Sequence, residues 1–92
     1  MLPRPSRGEV WLEDLDPTRG HEQAEVRPVV VVSTDLFNHG PAGLAVIVPM
    51  TTASRDILWY VEVNPPEGGI RRRSFIKCED VRSVATERLI TI

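Results

Sequence analysis

RGEVWLEDLDPTRGHEQAEVRP, residues Arg7–Pro28, runs directly into the apolar segment Val29–Val32. Val10–Leu15 alternates, with Val10 and Leu12 on one face and Trp11 and Glu13 on the other, which is the two-residue period of a strand. Asp16–Pro17 ends it. Thr18–Arg27 is loop, with Gly20 as its turn residue. The β-branched run Val29–Ser33 reads as a second strand, and its unbroken apolarity predicts burial on both faces. Between the two strands lies a dense set of polar groups: His21, Glu22, Gln23, Glu25 and Arg27. Loops carried on a rigid scaffold are where binding and catalytic side chains concentrate.

The same reading extends outward. Thr34–Asn38 suits a single helical turn, capped by Ser33 or Thr34 and stopped by Gly40 and Pro41. Leu44–Pro49, Leu58–Val63, Ser74–Glu79 and Val81–Val84 read as further strands, Pro65–Gly69 as a turn, and Thr86–Leu89 as another helical turn. Short strands, frequent Pro and Gly breaks and almost no helical periodicity predict a mainly β protein. A small closed barrel is the simplest solution, because closure removes exposed sheet edges. Periodicity leaves SH3-like and OB-like topologies both open.

The 92 residues make one domain, spanning 1–92 with 1–6 as an N-terminal tail. A chain this short buries only roughly 60–65% of its unfolded surface, so self-association is an expected source of stability. The single Cys78 has no disulfide partner within the chain, and no Cys/His spacing suits zinc. That fits a reducing compartment, and no signal-peptide pattern or membrane span is visible, so the cytoplasm is expected. Net charge is −2, unlike that of a protein that coats DNA. The charges are uneven: Arg71, Arg72, Arg73 and Lys77 cluster, while acid gathers in Glu9–Asp16 and Glu79–Asp80. A local basic groove suits transient engagement of a few phosphates.

Several residues have the chemistry for work on a phosphate. Arg27 precedes Pro28, which biases it to an extended conformation at the mouth of the second strand. A guanidinium held there can grip phosphate through paired hydrogen bonds and stabilise charge on a phosphorane oxygen. Thr51 and Thr52 end the Leu44–Met50 strand, where a hydroxyl can bind phosphate or cap a turn. His21 and Glu22 are adjacent candidates for acid–base work. Arg71–Arg73 with Lys77 and Arg82 can line an RNA groove. Taken singly, each is better explained structurally: Arg27 as a loop ion pair, Thr51 as a turn cap, the basic run as a solvated face. Phe37, Trp59, Tyr60 and Phe75 can stack on bases, but in so small a domain they are expected in the core. His39 reads as a turn residue and Cys78 as a small buried hydrophobe within a strand.

Order along the chain is more specific than any one residue. RGEVW at Arg7–Trp11, LDPTRGHEQ at Leu15–Gln23, RPVVVVS at Arg27–Ser33, FN at Phe37–Asn38, VPMT at Val48–Thr51 and KCEDVRSV at Lys77–Val84 follow one another. Together they resemble the MazF/PemK (Kid) family of toxins, across Arg7–Leu89. The resemblance implies an SH3-like barrel of the MazF/PemK/CcdB type with one or two short helices, working as a homodimer. It implies a toxin endoribonuclease that cuts single-stranded RNA at short motifs. No metal or other cofactor is needed, and the products are a 2′,3′-cyclic phosphate and a 5′-hydroxyl. A MazE-like antitoxin neutralises such toxins.

By resemblance, Arg27 and Thr51 match active-site residues, and His21, Glu22 and Gln23 match a loop that helps form the RNA site. Lys77 and Glu79 fall where PemK-like members carry an Arg and an Asp implicated in catalysis. The expected catalytic set is therefore Arg27, Thr51, Glu22 and His21. The expected RNA-binding set is Gln23, Thr52, Arg73, Lys77, Glu79 and Arg82. The family usually continues past Leu89 with a last amphipathic helix, which is expected to be missing here and its absence to weaken the dimer. Two other readings remain open: a CcdB-like toxin that binds gyrase without chemistry, and an inactive module that only engages an antitoxin.

Overall fold

The computed structural model describes residues 4–14, 26–53 and 57–91. Its strands are β1 (Val10–Asp14), β2 (Val26–Val31), β3 (Leu44–Thr51), β4 (Val61–Val63), β5 (Ser74–Ile76), β6 (Arg82–Ala85) and β7 (Leu89–Thr91), with one short helix, α1 (Asp35–Asn38), between β2 and β3. All strand pairs are antiparallel, in the spatial order β4-β5-β3-β2-β1-β7, with β6 also on β3. β3 is the hub. Its first half pairs with β6, its middle with β2 and its last residues with β5.

This order forces the sheet to curl. β6 lies on one side of β3, and β7 lies beyond β1 on the far side, yet only the 3₁₀ turn Thr86–Arg88 joins them. So short a connection reaches only if the two edges come together, which closes the β6-β3-β2-β1-β7 ribbon into a small barrel. Its interior holds Val29, Val31, Ala45, Ile47, Val84 and Leu89, with Trp11 packed against them. These positions alternate along their strands, as a pleated sheet with one core face requires.

The expected elements are present, with shifted ends. The Val29–Ser33 strand begins earlier, at Val26, and is not buried on both faces: Val29 and Val31 are sealed, Val30 is half-buried and Val32 is exposed. Only one side of β2 faces the barrel interior. In the segment expected as the Leu58–Val63 strand, pairing is confined to Val61–Val63. The Tyr60 N–H donates to the Ile57 carbonyl, 3.1 Å, and turns the chain before it. The Ser74–Glu79 strand stops at Ile76: the Lys77 N–H still donates to the Pro49 carbonyl, 2.9 Å, but Pro49 has no N–H to return a bond, and a 3₁₀ turn follows at Cys78–Asp80. Cys78 therefore sits on that turn, exposed, and not inside a strand. β7 has no separate sequence signal. Its Leu89 is buried opposite Glu13, while Ile90 faces out.

The aromatics are also not where size alone predicts. Trp59 is 59% exposed, Phe37 is exposed, and Tyr60 and Phe75 are half-buried. A barrel this narrow fills with Val, Ile, Ala and Leu, and Trp59 and Tyr60 lie next to a turn that cannot enter it.

α1 is fixed to the sheet by polar contacts. The Thr34 hydroxyl caps it by accepting from the Phe37 N–H. The buried Asn38 side chain is hydrogen-bonded to the Ser33 hydroxyl and donates to the Ser33 carbonyl, 3.0 Å, while the Val46 N–H donates to the Ser33 hydroxyl, 2.9 Å. This network ties the end of the helix to the first half of β3. His39, at the C-cap of α1, places Nε2 2.8 Å from the Pro5 carbonyl and fastens the N-terminal segment. No helix among the described residues is long and apolar enough to cross a membrane.

Candidate functional site

The strand registers align one transverse row of side chains. Glu13 on β1 pairs with Arg27 on β2. The β2–β3 register sets Val29 opposite Pro49 and Val31 opposite Ile47; carried two residues further, it sets Arg27 opposite Thr51. Thr51 pairs with Phe75 on β5, and Phe75 with Glu62 on β4. Directly opposed residues share a face, so Glu13, Arg27, Thr51, Phe75 and Glu62 lie on one side of the sheet. That side continues the barrel's inner face past the end of the apolar core. That extension brings Arg27 and Thr51, far apart in the chain, to one row on adjacent strands.

Within the row, the partners differ. Glu13 is only 1% exposed and accepts from an Arg82 guanidinium nitrogen at 2.7 Å. Arg82, expected from sequence as an RNA contact, stands opposite Ile47 with its side chain partly exposed and supplies the counter-charge of this buried carboxylate. Arg27 is exposed, and among the described residues no carboxylate lies within ion-pair distance of it. The loop ion pair to Glu22, Glu25 or Asp16 concerns residues outside those described. The Thr51 hydroxyl accepts from the Ala53 N–H at 3.2 Å, a turn cap that leaves its own proton free to donate. His21, Glu22 and Gln23 lie outside the described residues. The chain that holds them leaves β1 at Asp14 and returns at Val26, a directly paired couple adjacent to the Glu13–Arg27 pair.

The β4–β5 side of the row is basic and aromatic. Arg73 is exposed, with its guanidinium 5.3 Å above the Phe75 ring and 4.0 Å from Glu62. Lys77 reaches Asp80 at 3.1 Å. Glu79 accepts from the Trp59 indole N–H at 3.2 Å and from the Tyr60 hydroxyl at 3.0 Å. Sequence reading treats Trp59 and Tyr60 as core and so misses their place beside Glu79. The one available signal was their adjacency to a turn.

Thr52 belongs to a different surface. With Arg71 and Arg72 it rims a groove of about 510 Å³ floored by Val10, Leu12 and Pro28. Alternation puts that floor on the opposite face of β1 and β2 from Arg27. The groove is bounded by the 3₁₀ turn Glu67–Gly69, which packs closely on β1. Gly68 has φ +65°, and a Cβ built on it would lie 2.7 Å from Val10 Cγ2. Among the described residues no three His, Cys, Asp or Glu side chains come together as a metal site.

A charge-bearing guanidinium beside a hydroxyl, flanked by further cations and aromatic rings, has the chemistry to hold a phosphodiester. Comparison with known proteins places the chain in a family. The family model for the PemK-like, MazF-like toxin of type II toxin–antitoxin systems matches residues 6–92. The chain is 37% identical to the endoribonuclease MazF9 of Mycobacterium tuberculosis, over 91% of this chain and 75% of that one. It is 38% identical to the endoribonuclease PemK of Escherichia coli, over 85% of this chain and 59% of that one, and 32% identical to the endoribonuclease EndoA of Bacillus subtilis, over 90% and 72%. Among solved structures, MazF of Deinococcus radiodurans superposes with a TM-score of 0.73 at 24% identity, covering 97% of this chain and 79% of that one, and shows the same fold. A chain of a MazE–MazF structure from the same organism gives 0.76 at 24% identity, over 98% and 79%. With blocks from Arg7 to Val84 in the family's order and a family model that spans nearly the whole chain, this protein belongs to the PemK-like, MazF-like toxins of type II toxin–antitoxin systems.

Proposed function

We propose that this chain is a toxin endoribonuclease that cleaves single-stranded RNA at a short sequence motif without a metal ion. It acts in the cytoplasm as a homodimer and is neutralised by a MazE-like antitoxin. The observation that carries this reading is the neighbourhood of Arg27 and Thr51 in one cross-strand row, in a family whose named relatives are endoribonucleases.

The chemistry follows from what cleavage without metal demands. The 2′-oxygen attacks its own phosphorus and loses its proton. The bond from phosphorus to the 5′-oxygen breaks, and that oxygen takes a proton. A 2′,3′-cyclic phosphate and a 5′-hydroxyl remain. Negative charge builds on the non-bridging oxygens in between. Arg27 supplies two donors in a fixed fork toward that charge. The Thr51 hydroxyl, oriented by its bond from the Ala53 N–H, donates one more. Arginine stays protonated in proteins and is a poor proton shuttle, so proton transfer falls to His21 or Glu22. Arg73 and Lys77 lie toward the flanking phosphates.

The test is cleavage of a long, mostly single-stranded RNA in EDTA by the wild type, Arg27→Ala and Thr51→Ala, with new ends mapped. Defined cuts with cyclic-phosphate ends that vanish in Arg27→Ala support the reading. Wild-type rates in both variants would end it.

A further inference from the structure

Trp59 stands in water with one edge tied down. Its indole N–H donates to Glu79 Oε1 at 3.2 Å, and the Tyr60 hydroxyl donates to Glu79 Oε2 at 3.0 Å, so each carboxylate oxygen holds one ring of a two-residue aromatic pair. The tether fixes ring orientation without burying the ring, which remains 59% exposed. The β4–β5 register, extended one step from Val61–Ile76, places Tyr60 beside Lys77, which directly follows β5, two residues past the Phe75–Thr51 pair. Nothing about folding calls for this cluster, since an exposed indole gains little by being oriented. A pre-ordered aromatic face beside Lys77, at the end of the strand that starts next to Arg73, is, however, what an unpaired base on a phosphate backbone requires.

We propose that Trp59, Tyr60 and Glu79 form a subsite for one unpaired nucleobase next to the cleavage row. The indole of Trp59 stacks on the base. Glu79, a carboxylate with about four acceptor positions of which the two aromatic donors use two, accepts from an amino or imino N–H on the base edge. The class of ligand is a single-stranded ribonucleotide whose base presents such a donor. This rests on RNA being the substrate, and it adds which residues read a position of the motif. Lys77 beside the cluster and the Arg27–Thr51 row on the same side favour a nucleic acid over a protein partner, although Leu58, 97% exposed beside Trp59, would suit either.

The test separates binding from cleavage by using oligoribonucleotides methylated at every 2′-oxygen, in which each position carries each base in turn. In a Trp11→Phe background Trp59 is the sole indole. Its fluorescence should be quenched as oligonucleotide is added. With labelled oligonucleotide, Trp59→Ala should weaken binding between about five-fold and a hundred-fold, the range for loss of one stacked base, and Trp59→Phe should recover most of it. Glu79→Gln should change the preferred base at one position only. Quenching without any cleavage of unmodified RNA by the wild type would uphold the subsite and sink the ribonuclease reading. Cleavage with no quenching, and Trp59→Ala binding like the wild type, would overturn the subsite and leave the ribonuclease standing. Loss of self-association in Trp59→Ala with RNA binding intact would mark the patch as a protein interface and also overturn the proposal.

Discussion

Replacing Arg82 with leucine separates a structural ion pair from an RNA contact. Arg82 reaches the Glu13 carboxylate at 2.7 Å, Glu13 is 1% exposed, and Arg82 retains 40% of its exposure. The carboxylate's desolvation is therefore nearly complete, whereas the guanidinium's is partial. Removing the guanidinium leaves a buried carboxylate without its counter-charge, which typically costs about 3–5 kcal/mol. The half-open side of the pair allows water to approach, so the lower end of that range, about 3 kcal/mol, is expected here. In a domain of this size that corresponds to a fall in Tm of roughly 12–24 °C. Urea unfolding followed by tryptophan fluorescence, at one fixed protein concentration so that self-association does not shift the midpoint, measures it. The double variant Glu13→Met/Arg82→Leu removes both charges at similar volume and should recover most of the loss, because paired removal of a buried ion pair is often neutral. If Arg82→Leu unfolded within about 0.5 kcal/mol of the wild type but bound RNA more weakly, the ion pair would be incidental and Arg82 an RNA contact.

Further outcomes follow from the same geometry. Gly68→Ala adds a Cβ that would lie 2.7 Å from Val10 Cγ2 at φ +65°; a loss of about 1–3 kcal/mol in denaturant is expected, and an unchanged midpoint would mean the turn moves freely off β1. Asn38→Ala removes the partner of Ser33 inside the α1–β3 network and should cost about 1–3 kcal/mol, seen as faster hydrogen exchange at Val46 and along α1. Arg27→Lys keeps the charge and loses the fork; cleavage should stay at least about 10-fold below the wild type with stability unchanged, whereas full activity would show that charge alone is enough.

Local physics in the chain already determined a large part of this protein. The alternation of Val10–Asp14, the valines after Pro28 and the Gly and Pro breaks mark short strands and a barrel, because side-chain period and turn chemistry are local properties. The Thr34 cap and the stop after Asn38 were legible for the same reason. Arg27 and Thr51 could be singled out by their positions at strand ends and by the order of blocks along the chain. That they are neighbours was not legible, since only the antiparallel register of β2 on β3 sets them opposite each other. Tertiary structure alone decided which face of β1 points inward, because a buried glutamate is tolerable only where Arg82 from β6 can meet it. It also decided that Trp59 and Tyr60 converge on Glu79 at the surface. Aromatic size favours the core, but a turn at Ile57–Tyr60 and a barrel already filled by aliphatic side chains leave them outside, where a carboxylate distant in sequence holds them.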